Sequence, residues 1–473
     1  MARDLALLIP EIIILLTVVF ALVAEMLRMP RLALAVIIFG LLLATVQTLP
    51  LLGTNTSVFG GTFRIDTLSI WAKLILLPAT VLSLLLTRAE IAGTDREGTV
   101  YVLVCLVSLA SVLLAGVGDT MVLVLGVLLS GLGSFALVAY PRDDFATEAA
   151  MKFFVFASVT TSVMIFGLSF WFGGTGSTLL VDLVRLDTSP VIAIVGLLAV
   201  IIGLGYKASL VPFHFWAPDA YEGAPVSIAA YLSVVPKIGA IMAFAQVVRD
   251  LPIAMAWPLI IAVIAVLTMT YGYLAALVQN NIVRLLAYSS IAQAGYFLLG
   301  VVAVGTSPLA LPSIIIFSAA YAVMNLGAFA VVMVVGRTLE TFKGIGRNKP
   351  ALGVAMVVFL LSLVGIPPLA GFVGKFLLFG AAIEAGFTWL VVVAILNSVL
   401  SLAVYLRIVV PMYQRHNDHD SSATMSAPLI SLVWVITLLL TIAIGLGAQL
   451  LLGQLSEYLS GESLHCATSL SYS

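Results

Sequence analysis

Residues 228–248 read IAAYLSVVPKIGAIMAFAQVV, an apolar run with a single charge, Lys237, near its middle. A helix rising ~1.5 Å per residue needs ~20 such residues to cross ~30 Å of hydrocarbon. With the span taken as 226–248, Lys237 stands eleven residues from either end (237 − 226 and 248 − 237), at the bilayer midplane. Insertion scales make a central lysine unfavourable by about 2.5–3.5 kcal/mol, and it lies too deep to snorkel cheaply. Two readings follow: a structural lysine bonded to carbonyls freed by Pro236, or a buried group on an ion path, the default for such a position.

The whole chain has the same character. Of 473 residues, 62% are hydrophobic and 9% charged, with 21 Lys+Arg, 22 Asp+Glu and a net charge of −1. A soluble domain carries about 25% charged residues, so a soluble enzyme, a disordered chain and a nucleic-acid binder are excluded. Long apolar runs, in place of alternation, disfavour a β-barrel. The fold class is an all-α polytopic membrane protein. Spans are expected at about 5–26, 32–52, 67–87, 99–116, 120–140, 150–173, 190–211, 226–248, 256–279, 285–304, 309–336, 352–372, 376–412 and 428–452, fourteen in all, with a polar tail after them. The seventh and twelfth look interrupted. Cys105 and Cys466 supply neither a disulfide framework nor a CxxC site. Residues 5–26 are too long for a signal-peptide core and stay as the first span.

Orientation follows from Lys and Arg counted by side. Thirteen lie after odd-numbered spans, among them Arg28, Arg96, Lys152, Arg284 and Arg337, and four on the other side: Arg3, Arg64, Arg185 and Arg249. Both termini are therefore expected outside the cytoplasm. The four left over, Lys73, Lys207, Lys237 and Lys375, fall within apolar runs.

Lys207 lies in LAVIIGLGYKASLVPFHFWAPDAYEGAP (198–225), where Gly203, Gly205 and Pro212 break the helix and free backbone groups. His214 reads equally as an interface anchor and as a proton-exchanging group near the cytoplasmic mouth; Trp216 reads as an anchor. Lys375 follows GIPP and Gly371, with breaker and lysine in reversed order. Two interrupted helices, each with one lysine and five spans apart, point to an inverted-repeat transporter, with 99–248 and 256–412 as the two halves. Residues 1–98 then form an N-terminal three-helix segment, and 413–473 the last helix and tail. Low dielectric disfavours the ammonium form of a buried lysine, as a proton relay requires, whereas an alkali cation wants carboxylates and carbonyls. The transported ion is expected to be H⁺.

Other charges have plainer readings. Glu148 and Lys152 form an i,i+4 pair at the start of the sixth span. Glu11 reads as an interface residue, Lys73 as a snorkelling one, and Asp219 and Glu222 as turn or cap residues in a loop with Pro218, Gly223 and Pro225. No GxGxxG opening a βαβ unit, GxxxxGK[ST], HExxH or cysteine cluster is present. Of the four histidines, His416, His419 and His465 fall in a loop or the tail, poor places for haem ligands.

The stretches YKASLVPFHFWAPDAYEGAPVS (206–227), PKIGA (236–240), NNIVRLLAYSSIAQAGY (280–296) and LSLVGIPPLAGFVGKF (361–376) carry a resemblance. Over about residues 5–452 the chain resembles the antiporter-like subunits of respiratory complex I, the proton-pumping NADH:quinone oxidoreductase, and among them subunit N. The related subunit M usually has Glu where Lys375 stands, and subunit L is longer. The resemblance implies fourteen helices, two inverted five-helix repeats, and broken seventh and twelfth helices. It implies that Lys207, Lys237 and Lys375 are the seventh-, eighth- and twelfth-helix lysines of a proton path. Glu148 and Lys152 are similar to a Glu/Lys pair near the family's sixth helix. It also implies no cofactor on this chain: NADH, FMN, iron–sulfur clusters and quinone are held by other subunits. The implied partners are neighbouring M- and K-type membrane subunits in an energy-transducing, most simply bacterial plasma, membrane. The alternatives are a stand-alone Mrp-type cation/proton antiporter and a membrane subunit that has lost pumping. Two departures stand out. Leu128, in VLVLGVLLSGLGSFALVAY (122–140), occupies the family's fifth-helix Glu position, so the ammonium form of Lys207 lacks that counter-ion, and Gln293 stands where a His is frequent.

Overall fold

The computed structural model describes residues 2–188, 190–252, 256–415, 428–448 and 452–453. His416, His419, His465, Cys466 and nearly all of the expected tail lie outside them. The principal helices are α1 (Ile9–Met26), α2 (Pro30–Thr48), α3 (Thr67–Ile91), α4 (Glu97–Ala115), α5 (Thr120–Val138), α6 (Asp144–Thr175), α7 (Pro190–Ala208), α8 (Trp216–Gly223), α9 (Val226–Val248), α10 (Trp257–Ala276), α11 (Ile282–Val302), α12 (Ala310–Val335), α13 (Pro350–Val364), α14 (Ala370–Glu384), α15 (Thr388–Met412) and α16 (Pro428–Leu446). Thirteen helices among the described residues are long and apolar enough to cross a membrane. Neither α13 nor α14, at 15 residues each, reaches that length alone. This is a multi-pass membrane protein.

The element order is the same twice. From Glu97 to Val248 and again from Trp257 to Met412, three long helices are followed by an interrupted span and a long helix. The first interruption is Ser209–Phe215, where Ser209 has φ +62°, a costly conformation for a residue with a Cβ. The second is Gly365–Leu369, with Gly365 at φ +96°. At the second break α14 starts against the end of α13: Gly371 N donates to Ser362 Oγ at 3.0 Å, and a Cβ on Gly371 would fall 1.8 Å from the Ser362 carbonyl oxygen. Only glycine allows that approach.

Several boundaries differ from the sequence expectation. The twelfth span is 350–384 in two halves, not 352–372, and the run taken as 376–412 is divided at Gly386, which has φ +84°. Around that turn, in GAAIEAGFTW (380–389), Glu384 is the single charge in an otherwise mostly apolar stretch. Asp219 and Glu222 lie not in a loop but in α8, since Pro218 falls in its first turn, where proline is tolerated.

Every residue of α9 is buried, and α11 and α12 nearly so, whereas α1, α2, α10, α15 and α16 expose apolar faces to the surroundings. Lys237 thus sits on the innermost helix. The N-terminus of α9 follows Pro225 and has no cap from its own segment. Glu90 of α3 caps it, accepting from Val226 N at 2.9 Å and Ser227 N at 2.8 Å. A carboxylate is favourable there because it meets unpaired N–H groups and the positive end of the helix dipole.

Candidate functional site

Lys237 Nζ donates to the Ser290 carbonyl at 3.0 Å and to Ser290 Oγ, both on α11. The carbonyl comes from a neighbouring helix, so the reading in which Pro236 frees a local acceptor is replaced. Tyr321 of α12 brings its hydroxyl to 2.8 Å from Ser290 Oγ and 3.1 Å from the Ser233 carbonyl, and Asn325 Nδ2 donates to Ser233 Oγ at 2.6 Å. All these groups are buried.

Lys375 begins in α14 and reaches back to α13, donating to the carbonyls of Leu363 at 2.9 Å and Val364 at 3.0 Å, with Nζ 3.9 Å from the Tyr296 ring centre. The last carbonyls of a helix have no intrahelical donor, so the ammonium group closes the C-terminus of α13 where a cation is favoured. Gln293, three residues after Ser290 and so one turn along α11, donates through Nε2 to the same Leu363 carbonyl at 2.9 Å and to Tyr273 Oη at 3.1 Å. Lys237 and Lys375 therefore both meet α11, at Ser290 and at the Tyr296 ring, six residues apart (296 − 290). Gln293 Oε1 is buried without a protein partner, an acceptor suited to a water donor.

Lys207 stands apart. At the end of α7 it is 3% exposed, donates to Ser134 Oγ at 3.3 Å, and lies 5.8 Å from the Phe153 ring centre. No carboxylate pairs with it among the described residues, and no hydrogen bond among them continues from Ser134 to Lys237. Leu128, on α5, lines the small cavity at Lys207.

Glu148 and Lys152 form their ion pair at 2.8 Å with side chains 64% and 47% exposed, an ordinary surface pair worth little by itself. Lys152 also reaches Asp219 at 3.0 Å, and Arg284 bonds both Asp219 and Glu222 at 2.8 Å. Arg337 donates to the carbonyls of Glu222 at 3.0 Å and Ala224 at 3.1 Å. These bonds fix α8 to α6 and α11, so its two acidic residues are neither turn nor cap groups. His214 is buried against Tyr271 and Phe215 at the edge of a cavity of about 400 Å³ shared with Lys152, Asp219 and Arg284, with Nδ1 unpartnered. Trp216 is not an interface anchor: it is 2% exposed, stacks on Phe153 at 4.1 Å, and donates to the Tyr206 carbonyl at 2.8 Å.

Two groupings escaped the sequence reading. Lys73 does not snorkel and Glu11 is not at an interface: both are buried and joined at 2.6 Å, α3 to α1. At the membrane face opposite α8, Asp66 accepts from Gln246 Nε2 and Arg249 Nη1, both at 2.9 Å, while Arg64 donates to Gln246 Oε1 at 3.1 Å and pairs with Asp250. Arg64 and Arg249, counted to one side from the sequence, do cluster together. Among the described residues no group of three His, Cys, Asp or Glu is placed to hold a metal ion.

Residues 117–401, more than half of the chain, match the family model described as "NADH:quinone oxidoreductase/Mrp antiporter, TM". The chain belongs to this family. Within it, the chain is 39% identical over 404 residues to NADH-quinone oxidoreductase subunit N 1 of Streptomyces griseus, covering 84% of this chain and 85% of the relative. It is 37% identical over 398 residues to the F(420)H(2) dehydrogenase subunit N of Methanosarcina mazei, covering 79% of each. Among solved structures, a chain of respiratory complex I from Thermus thermophilus, described with bound aureothin, superposes with a TM-score of 0.83 at 28% identity, over 94% of this chain and 99% of that one. The printed names of the two relatives agree on subunit N and differ in the dehydrogenase named.

Proposed function

We propose that this chain is subunit N of a complex I-type oxidoreductase that couples electron transfer from NADH to quinone with proton translocation, and that protons pass through it along Lys207, Lys237 and Lys375. The observation that carries this reading is the placement of three buried lysines, one at the centre of the innermost helix and one at each helix break, in a chain similar over most of its length to subunit N. A lysine at such depth costs about 2.5–3.5 kcal/mol of insertion energy, so its presence there argues for a function. Two successive five-helix units, 99–248 and 256–412, hold the two broken helices. His214, which shares its cavity with Lys152, serves proton exchange at the cytoplasmic mouth together with Lys152 and its ion-pair partner Glu148. NADH, FMN, iron–sulfur clusters and quinone bind other subunits, and the M- and K-type membrane subunits are neighbours. The protein resides in a bacterial plasma membrane with both termini on the non-cytoplasmic side.

The test begins with the native particle. Gentle purification is expected to yield a multisubunit complex oxidising NADH; a complex oxidising a reduced deazaflavin instead replaces the donor and keeps the rest. Recovery of the chain without redox subunits, with Na⁺-dependent dye quenching in vesicles, overturns the proposal for the Mrp-type reading. In the complex, Lys207→Ala is expected to abolish most proton pumping per NADH. Unchanged pumping would favour a subunit that has lost it, a reading kept by Leu128 at the expected counter-ion position.

A further inference from the structure

Lys207 is a buried amine for whose ammonium form the described residues of this chain offer no anion. Its one hydrogen bond among the described residues is to a neutral hydroxyl, Ser134 Oγ, at 3.3 Å. The space beside it, about 70 Å³, lies between α5 and α6 and is lined by Leu128, Leu132, Phe154, Ser158 and Thr161, with Lys207 its only charged group. Leu128, Leu132 and Phe154 are 44%, 61% and 44% exposed, so the cavity lies at the outer surface of the chain. Isolated ammonium groups do not persist in low dielectric without compensation.

We propose that Lys207 takes its counter-ion from outside the chain: a carboxylate on a transmembrane helix of an adjoining subunit enters the cavity beside Leu128. This rests on the reading of the chain as one subunit of a membrane complex. Whenever Lys207 carries its proton, charge complementarity calls for an anion, and depth selects its carrier. Leu128 lies eight residues from the start of α5 and ten from its end (128 − 120 and 138 − 128), in the middle of a helix that spans the membrane. Lipid headgroups sit about 15 Å from that plane. A side-chain carboxylate on a packed helix can be presented there at far lower cost, as membrane-embedded charges pair within helix bundles. The apolar walls suit an apolar helix surface around the single acidic group.

The experiment uses the assembled complex in native membranes. With Leu128 replaced by photoreactive benzoylphenylalanine, irradiation is expected to give an adduct with another subunit, on a peptide holding Asp or Glu within an apolar run. Adducts with lipid alone overturn the proposal while leaving the subunit assignment intact; absence of any partner complex overturns that assignment instead. The acidic residue so found is then neutralised to Gln or Asn, which is expected to reduce pumping per NADH about tenfold or more, the lower end of what an opposite charge within ~4–6 Å does to a proton equilibrium. Leu128→Glu in that neutralised background is expected to restore pumping to within about twofold, because the carboxylate is then supplied by α5 itself. Neutralisation without effect, or a loss that Leu128→Glu leaves unchanged, overturns the proposal. Restoration is a readout that a merely structural contact would not give.

Discussion

Replacing Lys375 by two different residues separates what its charge does for the fold from what its proton does for transport. Its ammonium group closes α13 through the carbonyls of Leu363 and Val364 at 2.9 and 3.0 Å and lies 3.9 Å from the Tyr296 ring centre. Hydrogen bonds to charged groups contribute about 1.5–3 kcal/mol each. Lys375→Met therefore forfeits about 3–6 kcal/mol as an upper figure, because two charge-assisted bonds are lost, leaving the Val364 carbonyl without its donor and the Leu363 carbonyl with Gln293 alone. Lys375→Arg keeps donors, charge and the stacking on Tyr296, but guanidinium does not release its proton in proteins. The expected pattern is a lowered thermal midpoint and no pumping for Met, and a near-native midpoint with no pumping for Arg. The assay is the thermal midpoint of the detergent-solubilised complex, paired with NADH oxidation and dye quenching in vesicles. Native pumping in the Arg variant would refute a proton passing through this position. A native midpoint in the Met variant would refute the capping account.

Two further outcomes follow from packing. Lys73→Met leaves the Glu11 carboxylate buried without its partner and is expected to destabilise by about 3–5 kcal/mol, whereas Lys73→Met with Glu11→Leu returns to within about 1 kcal/mol of native, since apolar replacement of a buried pair is near neutral; a double-mutant cycle on the thermal midpoint that shows no coupling would remove this pairing. Gly371→Ala, whose Cβ would fall 1.8 Å from the Ser362 carbonyl oxygen, is expected to cost at least the about 1–3 kcal/mol of ordinary overpacking. The same change at Gly173, in the last turn of α6 with open space around it, is expected to be neutral or to stabilise by up to about 0.5 kcal/mol, and equal effects at both sites would sink the steric account.

The membrane class, the helix order and the three deep lysines were legible because charge is scarce: Lys237 at the centre of its span and the breakers beside Lys207 and Lys375 have few competing explanations. What stayed hidden depended on partners remote in sequence. Glu11 and Lys73 are 62 residues apart, and each alone, near the end of an apolar run, looks like a group reaching for the headgroups. α8 was concealed by Pro218, Gly223 and Pro225, residues that mark turns in water but here bracket one short helix whose acidic groups are claimed by Arg284 and Lys152. Trp216 carries the composition of an interface residue, yet its ring fills the space over Phe153. The polar set around Lys237 left a faint signal, in that Ser290 and Gln293 recur at helical spacing on α11.

The bond from Glu90 to Val226 and Ser227 gives the first three helices a duty beyond packing. They act as a bracket bolted to the starting end of the rod that holds Lys237. A shortened version of this chain, trimmed of everything before Glu97, would leave that rod with two unclaimed amide hydrogens and a loose lower bearing. Such a version would need water or another acceptor at that spot, so the Val226 end is where its loss of stability would show first.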